Sequence, residues 1–107
     1  MTTKTVNTNP TLDAKAKFNA LSNATHIFAF KEEGTPIKFL DVVKGESDTK
    51  AVVVTEDGEI HGLFTDSVSA RSAISDLQSA FGKDQPFVKV NVRQTPKGLS
   101  VYFFEVI

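Results

Sequence analysis

IKFLDVVKGESDTKAVVVTEDGEIHGLFTDSVSARSAISDLQSAFGKDQPFVKVNVRQTPKGLSVYFFEVI, residues 37–107, decides the fold. Ile37 to Lys44 is a strand-like run, and the polar stretch 45–49 separates it from residues 51–55, whose consecutive valines read as a buried strand. Asp57-Gly58 supplies a tight turn, read as type I′, so that Ile60 to Phe64 pairs back antiparallel. Asp66 or Ser67 then caps a helix with Val68, Ile74, Leu77, Ala80 and Phe81 near one stripe and Gly82 as its stop. Val88, Val90 and Val92 alternate with Lys89, Asn91 and Arg93, the turn Pro96-Lys97-Gly98 follows, and Leu99 to Phe104 forms the last strand.

Working outward, Thr25 to Phe30 reads as a further strand in a hairpin with Ile37 to Lys44, and residues 10–24 as a short helix with Asn9 and Pro10 as cap and first turn. Residues 1–9 are Thr- and Asn-rich and are expected to be a flexible leader, which leaves 10–107 as one expected domain. Strand, strand, strand, helix, strand, strand is the chain order of an OB-fold. The expected fold is therefore mainly β with some α content: a five-stranded antiparallel Greek-key barrel with one helix between its third and fourth strands and an N-terminal helix and strand extension.

Composition narrows the function. The 107 residues contain no cysteine, which excludes disulfides, thiolate metal sites and a cysteine nucleophile. No apolar run has the length needed to cross a bilayer, and the N-terminus has no signal-peptide core, so a cytoplasmic protein with no membrane association is expected. His26 and His61 have no metal-pair spacing, and the six glycines are too dispersed for a phosphate loop. The serines of the helix and the acidic pairs at the turns are ordinary polar surface. No enzyme and no cofactor is therefore expected.

The net charge is −1, yet between Gln85 and Phe104 the chain carries Lys89, Arg93 and Lys97 and no acid. A local basic strip can hold phosphates because salt mutes charges beyond about 8 to 10 Å. If the valines of residues 88–92 share the interior with Val101 and Phe103, pleating puts Lys89, Asn91, Arg93, Tyr102 and Phe104 on one outer face. Rings beside cations suit an unstacked, single-stranded nucleic acid. Lys44 and Lys50 on one loop and Lys97 on another would close over the strand, as the loops of an OB-fold do. Phe28, Phe30, Phe39, Phe64 and Phe81 are assigned to packing. The residues alone equally allow a bland alternative, rings merely covered by lysine stems.

Several pieces in order, FNALSNA at 18–24, DVV at 41–43, VVVTEDG at 52–58, TDSVSARS at 65–72, FG at 81–82 and KVNVRQTPKGLSVYFFEV at 89–106, resemble the small single-stranded-DNA-binding replication proteins encoded by bacterial viruses. The resemblance implies an OB-like barrel that coats and protects displaced strands during viral DNA replication in the host cell cytoplasm, without catalysis. Single-stranded DNA is the implied partner, with self-association and other replication proteins as further partners. The chain carries fewer basic residues in its last turn, and a shorter loop at Gly45 to Lys50, than that family. A second expectation is a viral protein-interaction module that docks on a host or replication protein through the aromatic edge, and an open edge at Thr25 to Phe30 would favour homo-oligomers.

Overall fold

Helix α1, Ala14–Ser22, starts where Asp13 turns its carboxylate back to accept the Ala16 N–H at 2.7 Å. The computed structural model describes residues 13–107, so the expected leader and the Asn9-Pro10 cap lie outside the described residues. The chain continues as β1 (Thr25–His26), α2 (Ile27–Glu33), β2 (Ile37–Lys44), β3 (Thr49–Thr55), β4 (Ile60–Thr65), α3 (Val68–Phe81), β5 (Val88–Gln94) and β6 (Ser100–Val106). The result is a mixed α/β globule, rich in β, with six strands in one curled sheet ordered β1-β4-β3-β2-β5-β6.

Two expectations are corrected. Thr25 to Phe30 does not pair with β2 as a hairpin strand. Only Thr25 and His26 are extended, and they run parallel to β4, adding a sixth strand to the expected five. From Ile27 the chain turns helical: Ile27 and Phe30, three residues apart, are both buried, His26 Nδ1 accepts the Phe28 N–H, and Gly34 at φ 68° ends the helix. Burial at helical spacing overrides the β preference of individual residues. The turn at Asp57-Gly58 is not type I′, because only Gly58, at φ 90°, has a positive φ there. Gly58 N–H bonds the Thr55 carbonyl, and the Thr55 hydroxyl holds the Asp57 carboxylate. This is a type I turn closed by a left-handed glycine, one of the common longer hairpin connections.

The sheet carries helices on both faces. On one, α2 and α3 enclose a core of Ile27, Phe30, Ile37, Phe39, Ala51, Val53, Leu63, Ala70, Ile74, Leu77, Val88 and Val90. Ser67 caps α3 by accepting the Ala70 N–H, and Gly82 ends it, as the sequence predicts. On the other face α1 lies across β3 and β4. Val52 and Val54 are buried there, and Lys17 reaches Asp41 at 2.6 Å. Gly62 permits that approach, because a Cβ at this position would stand 1.7 Å from the Ala20 carbonyl oxygen.

The β5–β6 hairpin joins the remaining strands through one registered pair, Ile37 with Val88. β6 pairs only with β5, and β4 with β1 and β3, so the curled sheet stays open among the described residues.

Gly62→Ala should force α1 off the sheet. The expected loss is about 1 to 3 kcal/mol of stability, read from the urea midpoint, in line with other overpacking changes. Gly62→Ala with an unchanged midpoint would show that α1 can move aside freely.

Candidate nucleic-acid interface

In β5 the alternation of valines with polar residues is kept: Val88 and Val90 are buried, while Lys89 and Arg93 are exposed. Opposite residues of an antiparallel pair share a face. Val88, Val90 and Val92 stand opposite Val106, Phe104 and Tyr102, and Lys89, Asn91 and Arg93 stand opposite Glu105, Phe103 and Val101. The expected parity of the last strand is thus reversed. Tyr102 and Phe104 lie on the core side with the valines, and Phe103 and Val101 lie outside with the cations.

The half-buried Phe104 ring packs at 5.5 Å from Phe39, and Tyr102 packs against the same core while its N–H bonds Ser69 Oγ on α3 at 2.9 Å. Neither ring shares a face with Lys89 or Arg93. Both parities of β6 are apolar, so hydrophobicity does not choose between them. The turn chooses: Gly98, at φ 83°, donates its N–H to the Thr95 carbonyl, and Thr95 N–H bonds the Leu99 carbonyl. A three-residue loop between Thr95 and Leu99 makes Arg93 face Val101. The Pro96-Lys97-Gly98 signal already contained this register.

The outer face nevertheless joins cations to rings, and of the four residues involved only Arg93 belongs to the set expected from the sequence. Arg93 lies over the Phe103 ring at 5.6 Å, with the ring 39% exposed. Lys38 lies over the Phe87 ring at 5.2 Å. The Ile37–Val88 pair points inward, so its neighbours Lys38 and Phe87 point outward, on the side that carries Lys89. Lys38 and Phe87, then Lys89, then Phe103 and Arg93 form one band that follows β5 for about 20 Å at the usual strand rise. Lys97 is exposed at the hairpin turn beyond it. Asn91 sits within the band, its Nδ2 3.5 Å from Glu105 Oε1. Glu105 is the one acid on this face of the hairpin, across from Lys89.

Lys44 and Lys50 are exposed but stand apart from this band. They flank the far end of β2 and β3, in successive rows and therefore on opposite faces, while the hairpin leaves the sheet from the other end of β2, at Ile37. The loop between them is held by Arg71, whose guanidinium donates to the Gly45 and Glu46 carbonyls at 3.0 and 3.4 Å and to Thr49 Oγ1 at 3.4 Å. The structure therefore brings together Lys89, Asn91 and Arg93, with Lys97 at the tip, and separates them from Lys44 and Lys50. Among the described residues no cluster of His, Asp or Glu is placed to hold a metal ion, and no helix is long and apolar enough to cross a membrane.

Comparison with protein-family models, with curated proteins and with solved structures gives no match for this chain.

Tyr102 is the only tyrosine in a chain without tryptophan. Partial burial, and to a lesser degree the Asp66 carboxylate, raise its phenol above the ordinary value of 10.0. The folded state therefore keeps this proton where the unfolded chain would release it. Its stabilising contribution is complete below pH 10 and is lost as pH rises through the folded value. Absorbance at the phenolate band should titrate above the free-tyrosine value in native protein and return to it in denaturant. Coincident curves would place the ring in water.

Proposed function

We propose that this protein binds single-stranded nucleic acid, in the first instance DNA, along the outer band of the β5–β6 hairpin, without strong preference for sequence. The observation that carries the reading is the pair of cation-covered rings, Lys38 on Phe87 and Arg93 on Phe103, on one face with Lys89 between them. An unpaired base stacks on a ring of any kind, and ammonium and guanidinium groups follow the phosphates. Phe87 and Phe103 take the stacking role, and Lys38, Lys89, Arg93 and Lys97 the phosphate role. Tyr102 and Phe104 support the hairpin from its inner side.

The topology adds support. β2, β3, β4, α3, β5 and β6 follow the chain order of an OB-type barrel, with β2 flanked by β3 and β5. An OB-fold commonly binds across its second and third strands. Here α1 lies over the corresponding β3 and β4, which leaves the band on β2, β5 and β6 as the open face. Sequence-tolerant binding of this kind is what coating displaced strands during viral DNA replication requires, and the resemblance of the sequence points to that setting in the host cytoplasm.

The test is fluorescence anisotropy of a labelled oligothymidine at two salt concentrations. Affinity should fall as salt rises, and Lys89→Ala should reduce the salt slope by about 1. Phe103→Ala should cost about 1 to 3 kcal/mol of binding, roughly 5- to 150-fold in Kd, with the fold intact by circular dichroism. Lys50→Ala should leave affinity unchanged. Absence of binding at low salt, or a Kd indifferent to Phe103→Ala, rejects the proposal.

A further inference from the structure

β6 is the edge of the sheet, and half of it is bare. Leu99 pairs with Thr95 and Ile107 with Phe87 through hydrogen bonds, and the alternation of an antiparallel ladder then turns the N–H and C=O groups of Ser100, Tyr102, Phe104 and Val106 away from β5. The N-terminal half of this edge is covered, since Ser69 on α3 takes the Tyr102 N–H. Beyond it, Phe104 and Val106 have no outward backbone partner among the described residues.

The side chains around this half are apolar. A groove of about 310 Å³ runs between α3 and β6, lined by Ala73, Leu77, Ala80, Phe81, Phe103 and Phe104, with Asp76 as its acidic member. Val106 is 50% and Ile107 62% exposed. Natural edge strands are usually guarded by lysine, proline or a bulge. β6 has none of these: its register with β5 is uninterrupted, and its one charge is Glu105.

The geometry points to a second copy of this chain as the occupant, its β6 pairing antiparallel with this β6 about Phe104. A two-fold at Phe104 joins the two Phe104 residues through their free N–H and C=O groups and sets each Val106 N–H on the free Tyr102 carbonyl of the other copy, the Tyr102 N–H staying with Ser69. In that register Phe104 meets Phe104 of the second copy, and Tyr102 meets Val106, on the side facing α3, which fills the groove of each molecule with the other's aromatic and aliphatic side chains. On the outer side Phe103 meets Glu105 of the second copy. Glu105 is then set beside the Phe103 ring on which Arg93 is stacked, and each copy's acid is answered by the other's cation. The contact is isologous and closes as a dimer. A strand of unrelated sequence would fill the groove equally but would not have to present an acid opposite Phe103, whereas this strand does so twice by symmetry. The pairing stands independently of nucleic-acid binding and would place two outer bands side by side.

Sedimentation equilibrium of the full chain without nucleic acid tests it. The expected result is a concentration-dependent approach to twice the chain mass of 11.7 kDa. Val106→Pro removes an outward donor without touching the ladder to β5 and should give a monomer with unchanged circular dichroism. Glu105→Arg should also give a monomer, and adding Arg93→Glu to it should restore the dimer. A wild-type monomer at every concentration reached overturns the inference, whether residues 1–12 or another protein then cover the edge. A dimer indifferent to Val106→Pro and Glu105→Arg overturns it as well, since it would form elsewhere.

Discussion

Gly98 governs the candidate site from a position outside it. Its left-handed backbone closes the three-residue turn that sets Thr95 against Leu99, and every pair of the hairpin follows from that closure. A slip of one residue would send Phe103 inward and expose Tyr102 and Phe104, because side chains change face at every position. The core would then lose the contact between Phe39 and Phe104. Turn geometry and core packing therefore select the same register, and the Arg93–Phe103 pair on the outside is its product.

The two faces of the main sheet are finished differently. Valines and phenylalanines enclosed by α2 and α3 supply the larger core. The opposite face has a thin cover, in which Ala20 is the one buried residue of α1 and Gly62 removes the side chain that would hold the helix away. Small residues on both partners let backbone approach backbone, and the Lys17–Asp41 ion pair, partly exposed to water, adds orientation more than energy. The placement of α1 over β3 and β4 also moves the free surface of the sheet to β5 and β6.

Much of the architecture was legible because periodicity and punctuation agreed. α3 and β5 show a clear period, and β2, β3, β4 and β6 are strand-like runs, each bounded by a glycine, proline or capping residue. Residues 25–30 hold too few periods to separate a strand from a short helix, and the deciding fact, burial of Ile27 and Phe30 against distant elements, is tertiary. At the site, Lys89, Asn91 and Arg93 were readable from the valine alternation of β5. The rings beside them were not readable from alternation, since residues 101–104 are apolar in both phases; only counting across the turn gives their faces. Lys38 and Phe87 come together through the long-range β2–β5 pairing, which no local pattern announces.

That pairing rests on a single rung. Between Ile37 and Val88 the ladder neither extends back along β2 nor forward along β5, so the hairpin's tilt against the four-stranded portion is set by side-chain contacts with α2 and α3. The molecule is built as two plates that share one rung, with Lys38 on one plate and Lys89, Phe103 and Arg93 on the other. The span of the outer band is therefore set by how α2 and α3 pack the plates together, not by the backbone ladder.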